Sequence, residues 1–280
     1  MRLSCLPVSL FGEIRTGAMP LERWISYGAE LGLDGIDLSV LFFLDDRRAA
    51  VAATLRQTRA SGIPVAVINT YPDFTHPDAR ERARQYAEFT EHLYLAAEIE
   101  ARMLRITAGQ AHPGTTDADN ISRTLEYFLP ADELAKKLKV QLIYENHAKP
   151  GVWQYPDVSL SRAVFFEVVA RLRQTSIKVL YDTANPLVAG DEPLSILEPV
   201  LDRVACVHAA DTQVRGGLRP VLIGTGVVPF APIFRRLRAA RYDGWISIEE
   251  ASGHGLEGVR QAVEFIRGSW QQAQPAAAQP

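Results

Sequence analysis

The sequence predicts a single-domain (β/α)8 barrel, the TIM-barrel class of α/β folds. Eight short hydrophobic segments alternate with eight longer amphipathic ones, which is typical of parallel βαβ units. The length of 280 residues is close to the roughly 250 that such a barrel takes. A dinucleotide-binding open sheet is disfavoured, because no G-x-G-x-x-G motif follows the first strand.

The predicted elements follow one another in strict alternation. Hydrophobic runs predict strands at 2–10, 35–40, 64–70, 103–109, 140–147, 177–185, 204–211 and 245–250. Amphipathic segments predict helices at 20–32, 45–61, 78–100, 117–139, 162–174, 193–201, 229–240 and 255–270. Pro20 suits the first position of a helix, and Gly32 and Gly62 suit helix ends. We assign 1–270 to the barrel and 271–280, an Ala/Gln/Pro tail, to a disordered segment.

Composition narrows the class of protein. The 30 basic and 33 acidic residues leave a net charge of −3, which gives no electrostatic basis for binding nucleic acid or an anionic membrane. No segment reaches the roughly 18 apolar residues of a membrane span, and the N-terminus lacks a signal-peptide cleavage site. Cys5 and Cys206 lie in predicted strands, so we expect buried thiols in a reducing compartment. The expected location is the cytoplasm.

Four consecutive predicted strands end in polar residues that can carry chemistry. These residues are Glu145, Asp182, His208 and Glu249, each about one βα unit after the previous one. The carboxyl ends of barrel strands share one face, so we expect the four side chains to converge. Three carboxylates and an imidazole suit Mn²⁺, Mg²⁺ or Co²⁺ better than a structural zinc, and zinc stays open. We therefore predict that these four residues bind a divalent metal, with Mn²⁺ favoured.

Five motifs resemble those of the sugar phosphate isomerase/epimerase family, the xylose isomerase-like TIM barrels. They are YENH at 144–147, YDTANP at 181–186, VHAAD at 207–211, LIGTG at 222–226 and YDGWISIEE at 242–250. The resemblance implies that Glu145, Asp182, His208 and Glu249 are the metal ligands. It also implies that Glu145 and Glu249 transfer protons in the epimerisation or isomerisation of a keto-sugar or related polyol. Dimers, tetramers or association with a second subunit are further implications of the family.

A lyase remains the alternative activity. The loop that the family usually writes LGEG has Thr225 in place of its acidic residue, and the segment KPGVWQYPD follows ENH. These features resemble the inosose dehydratase and C-glycoside deglycosidase subset. The same proton removal would then lead to β-elimination from a keto-sugar or a 3-keto-glycoside.

Six further residues are predicted to support the site. His147 is a third catalytic candidate, and it either contacts a substrate oxygen or forms a supporting hydrogen bond. The substrate-binding candidates are His76, His112, Arg215, Asn185 and Trp153. Each has a structural alternative: solvated loop histidines, a surface arginine, an asparagine that orients Asp182, and a tryptophan packed on the barrel rim. Arg105 in the fourth strand is expected to pair with a carboxylate, because a buried charge needs a partner.

Two other classes are less favoured. A DNA-repair endonuclease of the same barrel type would need more metal ligands and a basic face, but the chain has six histidines and a negative net charge. A non-catalytic sugar-binding barrel or partner subunit would lack at least one of the four ligands. No G-x-S-x-G motif or phosphate-binding loop offers a competing site.

Overall fold

The computed structural model describes residues 1–273 and confirms the predicted (β/α)8 barrel. The strands are β1 Arg2–Leu6, β2 Ile36–Ser39, β3 Val65–Asn69, β4 Met103–Ile106, β5 Gln141–Glu145, β6 Lys178–Asp182, β7 Val204–Ala209 and β8 Trp245–Glu249. The helices are α1 Phe11–Arg15, α2 Leu21–Glu30, α3 Arg47–Ser61, α4 Ala79–Glu98, α5 Asp117–Leu138, α6 Arg162–Arg171, α7 Asn185–Ala189, α8 Pro193–Leu197, α9 Phe230–Ala239 and α10 Gly255–Gln272.

All strands are parallel and form one sheet that curls into a barrel. The strand order is β1-β8-β7-β6-β5-β4-β3-β2, so β1 and β8 pair with each other. No ladder joins β1 to β2 within residues 1–273, and the seam is bridged by side chains together with the backbone N–H groups of Asp34 and Gly35, which donate to the Leu3 carbonyl. Asp34 accepts the backbone N–H of Leu3, and the buried Asp37 accepts the hydroxyl of Ser4. The barrel is therefore nearly closed by its ladders and completed by two aspartates.

The predicted ends of two strands, the first and the sixth, were wrong because a helical segment begins before the end of each hydrophobic run. The first strand stops at Leu6, and a 3-10 turn and α1 follow Pro7, which has no N–H to donate. The segment after Asp182 forms the short α7, which the sequence pattern did not predict. Helix α5 runs unbroken through Pro130.

The C-terminal boundary also differs from the prediction. Helix α10 continues to Gln272, two residues into the tail predicted for 271–280. Trp270 packs edge-to-face against Phe234 of α9, and Ala273 is buried, so packing on α9 holds this end of the helix. The remainder of the predicted tail, 274–280, lies outside the described residues.

The barrel interior is layered along the strands. Val67, Met103, Ile143, Leu180, Cys206 and Trp245 form one apolar layer inside the barrel. Because side chains on a strand alternate between its two faces, the residues two or four positions further along also point inward. Those positions in β5 to β8 hold Glu145, Asp182, His208 and Glu249. The apolar layer thus forms the floor beneath a cluster of polar groups.

Two further expectations concern cysteines and membranes. Cys5 and Cys206 are both buried and free. Among the helices of residues 1–273, none combines the length and the apolar character that a bilayer crossing requires.

We predict that the helical layer depends on the buried face of α9. Leu237 of α9 is fully buried, whereas Leu129 of α5 is 48% exposed. Leu237→Ala leaves a cavity and should lower the free energy of unfolding by about 2–5 kcal/mol. The matched change Leu129→Ala should alter it by less than about 0.5 kcal/mol. Equilibrium urea unfolding measures both, and equal losses would contradict the packing described.

Candidate metal centre

Four side chains meet at the carboxyl ends of β5 to β8. One ligand atom from each of Glu145, Asp182, His208 and Glu249 lies within 4.8 Å of the others. Glu145 and His208 are fully buried, and Asp182 is 1% exposed. The convergence expected from the strand ends is therefore present in the structure.

His208 lies between the two glutamates. Its Nδ1 is 3.0 Å from Oε1 of Glu145 and 3.2 Å from Oε2 of Glu249. Burial alone would lower the pKa of His208, but these two carboxylates raise it to about 10. Nδ1 is thus the nitrogen that faces the cluster, and in the protein alone it carries a proton between two anions. A divalent cation can take the place of that proton.

Asp182 presents a bare carboxylate oxygen. Its Oδ1 accepts the backbone N–H groups of Ala184 and Asn185, while Oδ2 is buried without a hydrogen-bond partner. The side chain of Asn146 holds the Asp182 backbone from both sides, accepting its N–H and donating to its carbonyl. Burial raises the pKa of Asp182 well above its usual value, and Glu249 and Glu145 raise it further. This oxygen fits a cation, which would supply the missing partner.

Arg105 confirms the expected buried ion pair. Its Nη1 donates to Oε2 of Glu145 at 2.9 Å, and its Nη2 donates to the carbonyl of Thr70 at 2.9 Å. The guanidinium also lies over the Tyr71 ring, 4.8 Å from its centroid. Burial would raise the pKa of Glu145, but His208 and Arg105 lower it well below its usual range. Glu145 is therefore a fixed anion with both oxygens engaged.

Glu249 differs from Glu145 in its access to solvent. Its side chain is 24% exposed, and its single close partner in the cluster is His208. Burial raises its pKa, but the hydrogen bond and charge of His208 lower it overall. The site thus contains one enclosed glutamate and one that reaches the cavity above.

A cavity of about 470 Å³ opens directly above the cluster. Asp182, Glu249, Arg105, His147 and Asn185 all line it. His147 is oriented by Asp157, whose Oδ2 lies 3.3 Å from Nδ1 of the imidazole. The predicted candidates His147 and Asn185 therefore lie where a bound molecule would contact the cluster.

The structure does not bring His76 and His112 into this cavity. His112 lies 2.7 Å from the Asp73 carboxylate through Nε2, and its ring packs edge-on against that of His76, with centroids 4.8 Å apart. His76 lines a separate cavity of about 400 Å³ beside α4. The loops that follow β3 and β4 fold against each other, which turns both imidazoles away from the cluster. Their substrate contact stays a prediction.

Arg215 and Trp153 are also placed away from the cluster. Arg215 is exposed and forms a surface ion pair with Glu192 at 2.7 Å. Trp153 is buried, donates its indole N–H to the carbonyl of Tyr71, and packs edge-on against His147. It lines the cavity beside α4 rather than the one above the cluster. Neither residue lines the cavity above the cluster, and their substrate contact stays a prediction.

Sequence reasoning missed the role of Asp211. Its carboxylate accepts four backbone N–H groups, from Thr212, Gly224, Gly226 and Val228. A Cβ at Gly226 would lie 2.3 Å from Asp211 Oδ1, so the close approach requires glycine. The sequence feature that could have indicated this role is the acidic residue at the end of VHAAD, which is followed by the glycine-rich segment LIGTG that it binds. Asp211 therefore holds the loop that forms one side of the cavity.

A family model, curated relatives and solved structures were compared with the chain, and their results agree. The family model described as xylose isomerase-like TIM barrel matches residues 25–269. An inosose dehydratase of Geobacillus thermodenitrificans is 22% identical over 284 residues, covering 90% of each chain. Two solved structures share the fold: a D-tagatose 3-epimerase-like protein (TM-score 0.80, 15% identity, 98% of each chain) and the IolI protein with a bound zinc atom (TM-score 0.81, 13% identity, 99% of this chain and 100% of that one).

Two adjacent glutamates allow a direct test of the cluster. Glu249 belongs to it, whereas the fully buried Glu250 accepts the backbone N–H of Ser252 and is not among the four residues. Glu249→Gln should weaken the binding of Mn²⁺ or Zn²⁺ to chelator-treated protein by about 100-fold or more, because it removes a charged ligand. Glu250→Gln should change the affinity by less than about threefold. Titration calorimetry measures both, and equal effects would refute this ligand set.

Proposed function

Because the chain belongs to the xylose isomerase-like TIM barrel family, we propose that it is a divalent-metal-dependent enzyme that isomerises or epimerises a keto-sugar or related polyol. The observation that carries the proposal is the convergence of one ligand atom from each of four residues, two of them glutamates, within 4.8 Å. The neighbouring epimerase-like fold and the dehydratase relative both support chemistry next to a carbonyl.

Glu145, Asp182, His208 and Glu249 would hold the cation. The oxygen-rich ligand set favours Mn²⁺, with Mg²⁺, Co²⁺ and Zn²⁺ as alternatives, and the zinc atom of the IolI neighbour supports a site of this type. When bound, the cation would polarise the substrate carbonyl as a Lewis acid and make the adjacent C–H more acidic.

The two glutamates stand at the two ends of the arc formed by β5 to β8, so a substrate carbon between them can be reached from either side. His208 and Arg105 favour the ionised form of Glu145, so we assign Glu145 as the base that removes the α-proton, through the Oε1 that faces His208 rather than the Oε2 held by Arg105. Glu249, which is partly exposed, would return a proton to the resulting enediolate from the other face. Its exposure would let that proton exchange with solvent. His147, oriented by Asp157, would donate a hydrogen bond to a substrate oxygen.

A dehydratase or other lyase is the second candidate, and the inosose dehydratase relative that spans 90% of the chain favours it. The first step would be the same removal of an α-proton by Glu145. If the next carbon carries a hydroxyl or an aglycone, the electron pair of the enediolate would expel that group. A proton donated by His147 would release it as water or as the free aglycone.

Location and assembly complete the proposal. A small carbohydrate is the proposed substrate, and the cytoplasm is the proposed location, supported by the two buried free thiols. Association into a homo-oligomer or with a second subunit is part of the same proposal. Sedimentation velocity of the purified protein would test it.

The glutamate mechanism predicts solvent exchange. In D₂O with saturating Mn²⁺, a substrate keto-sugar should gain deuterium next to its carbonyl. Glu145→Gln and Glu249→Gln should each reduce this rate by about 10²–10⁴-fold, because each removes a proton-transfer group. Glu250→Gln serves as the matched control and should exchange normally. Near-full exchange by either of the first two variants, with metal bound, would contradict the assignment.

The product distinguishes the two candidate activities. We expect proton NMR of a panel of ketoses, inososes and 3-keto-glycosides to show a new isomer that carries deuterium at the α-carbon. An unsaturated ketone or a free aglycone would instead assign the chain as a lyase. A protein that binds metal but catalyses no exchange with any of these carbonyl compounds would refute the proposed function.

A further inference from the structure

The cavity above the cluster is divided into a polar floor and an apolar upper part. The floor is formed by buried polar side chains, among them Arg105, Asp182 and His147. The upper part is lined by carbon, from Val8, Phe11, Leu41, Val152, Leu218 and Val221. Hydrogen-bonding partners for sugar hydroxyls are therefore concentrated at the floor.

Two of the apolar residues are unusually exposed. Val152 is 58% exposed and Leu218 is 47% exposed. A single exposed apolar residue is ordinary. These two, however, line one concave cavity together with the partly buried Phe11, and that cavity is continuous with the carboxylate cluster. An occupant of the cluster would meet them.

The polar residues of the upper part are one carboxylate that is already occupied and two cations at the rim. Asp211 lines the cavity, but all four of its carboxylate hydrogen bonds go to backbone N–H groups. Arg15 and Lys149 stand exposed at the rim and form no ion pair within residues 1–273. Cations in such positions can bind the faces of aromatic rings, an attraction that an alkyl occupant does not offer.

Resting on the proposed function of the cluster, we propose that the substrate is a keto-sugar or keto-polyol that carries a bulky aromatic substituent. The sugar ring occupies the polar floor, and the substituent lies between Phe11, Val152 and Leu218. An unsubstituted sugar on the floor would leave the apolar surfaces of Phe11, Val152 and Leu218 in contact with water, so it would gain no free energy from them. An aryl group in the same place buries apolar surface on both sides.

The size of the cavity agrees with this substrate class. Its volume of about 470 Å³ lies within the range of roughly 300–1,000 Å³ that is typical of pockets for ligands larger than one six-membered ring. Leu41 and Val152 also line the neighbouring cavity beside α4, so the space continues beyond the apolar part. A substituent larger than one aromatic ring could extend there.

The test compares unreactive ligands, so that binding is separated from chemistry. Phenyl β-glucoside and methyl β-glucoside are titrated into Mn²⁺-loaded full-length protein by calorimetry. Phenyl glucoside should bind about tenfold tighter or more, because only its substituent fills the apolar part. Leu218→Asn and Val152→Thr keep the side-chain size but add polar atoms, and each should reduce this preference by about threefold or more.

A matched leucine provides the control. Leu129 is exposed to the same degree as Leu218, at 48% against 47%, but lies on α5 and lines neither cavity. Leu129→Asn should leave the phenyl preference unchanged. Equal affinities for the two glucosides, undetectable binding of the phenyl glucoside, or equal effects of the two leucine variants would overturn the proposal. Loss of deuterium exchange with every keto-sugar, alongside a retained phenyl preference, would instead refute the proposed function alone.

Discussion

The buried ion pair between Arg105 and Glu145 is the constraint on which the rest of the site depends. A guanidinium and a carboxylate inside a barrel are tolerated only when further contacts offset the loss of water around them. The Thr70 carbonyl and the Tyr71 ring contact the guanidinium of Arg105, whose Nε stays without a hydrogen-bond partner, and His208 contacts the second oxygen of Glu145. These contacts connect β3, β4, β5 and β7. Glu145 is thereby held as an anion at a defined position before any ligand arrives.

The charge balance of the cluster follows from this pair. In the protein alone, the carboxylates of Glu145 and Glu249 face the guanidinium of Arg105 and the imidazolium of His208, while the raised pKa of Asp182 favours its neutral form. A divalent cation with a neutral imidazole would balance the carboxylates together with Arg105. The unpartnered oxygen of Asp182 and the proton held between His208 and the two glutamates are the structural signs of this requirement. Metal affinity and proton transfer therefore depend on the same electrostatic arrangement.

The loops after β5 and β7 shape the cavity above the candidate metal-binding cluster, and so they determine which molecules can reach it. Asp211 closes the segment after β7 by accepting four backbone N–H groups, and this places Leu218 and Val221 over the cluster. From the opposite side, the segment after β5 contributes Val152, with Trp153 packed behind it. The chemistry thus resides at the strand ends, while the loops determine what kind of molecule can approach.

Strand ends were easier to predict than loops for a physical reason. A buried parallel strand is recognisable from a short hydrophobic run. In a barrel of parallel strands, the carboxyl ends of all strands lie on the same face. The proximity of Glu145, Asp182 and His208 could therefore be predicted from the sequence. Two adjacent glutamates end β8, and the structure supports Glu249 over Glu250 because alternation along the strand directs only one of two neighbours inward. His112 and Arg215 could not be placed, since their partners Asp73 and Glu192 are distant in sequence, and the position of His76 depends on its packing against His112.

The sequence by itself determined the barrel, the order of its strands and the convergence of an acidic, metal-competent cluster, because these follow from local periodicity and from the parallel arrangement of the strands. Only the tertiary structure decided which glutamate is enclosed and which reaches the cavity, because that depends on Arg105 reaching across from β4. It also decided which loop residues line the cavity and left an apolar surface above the cluster. Loop paths are determined by long-range hydrogen bonds such as those of Asp211, and no local pattern encodes them.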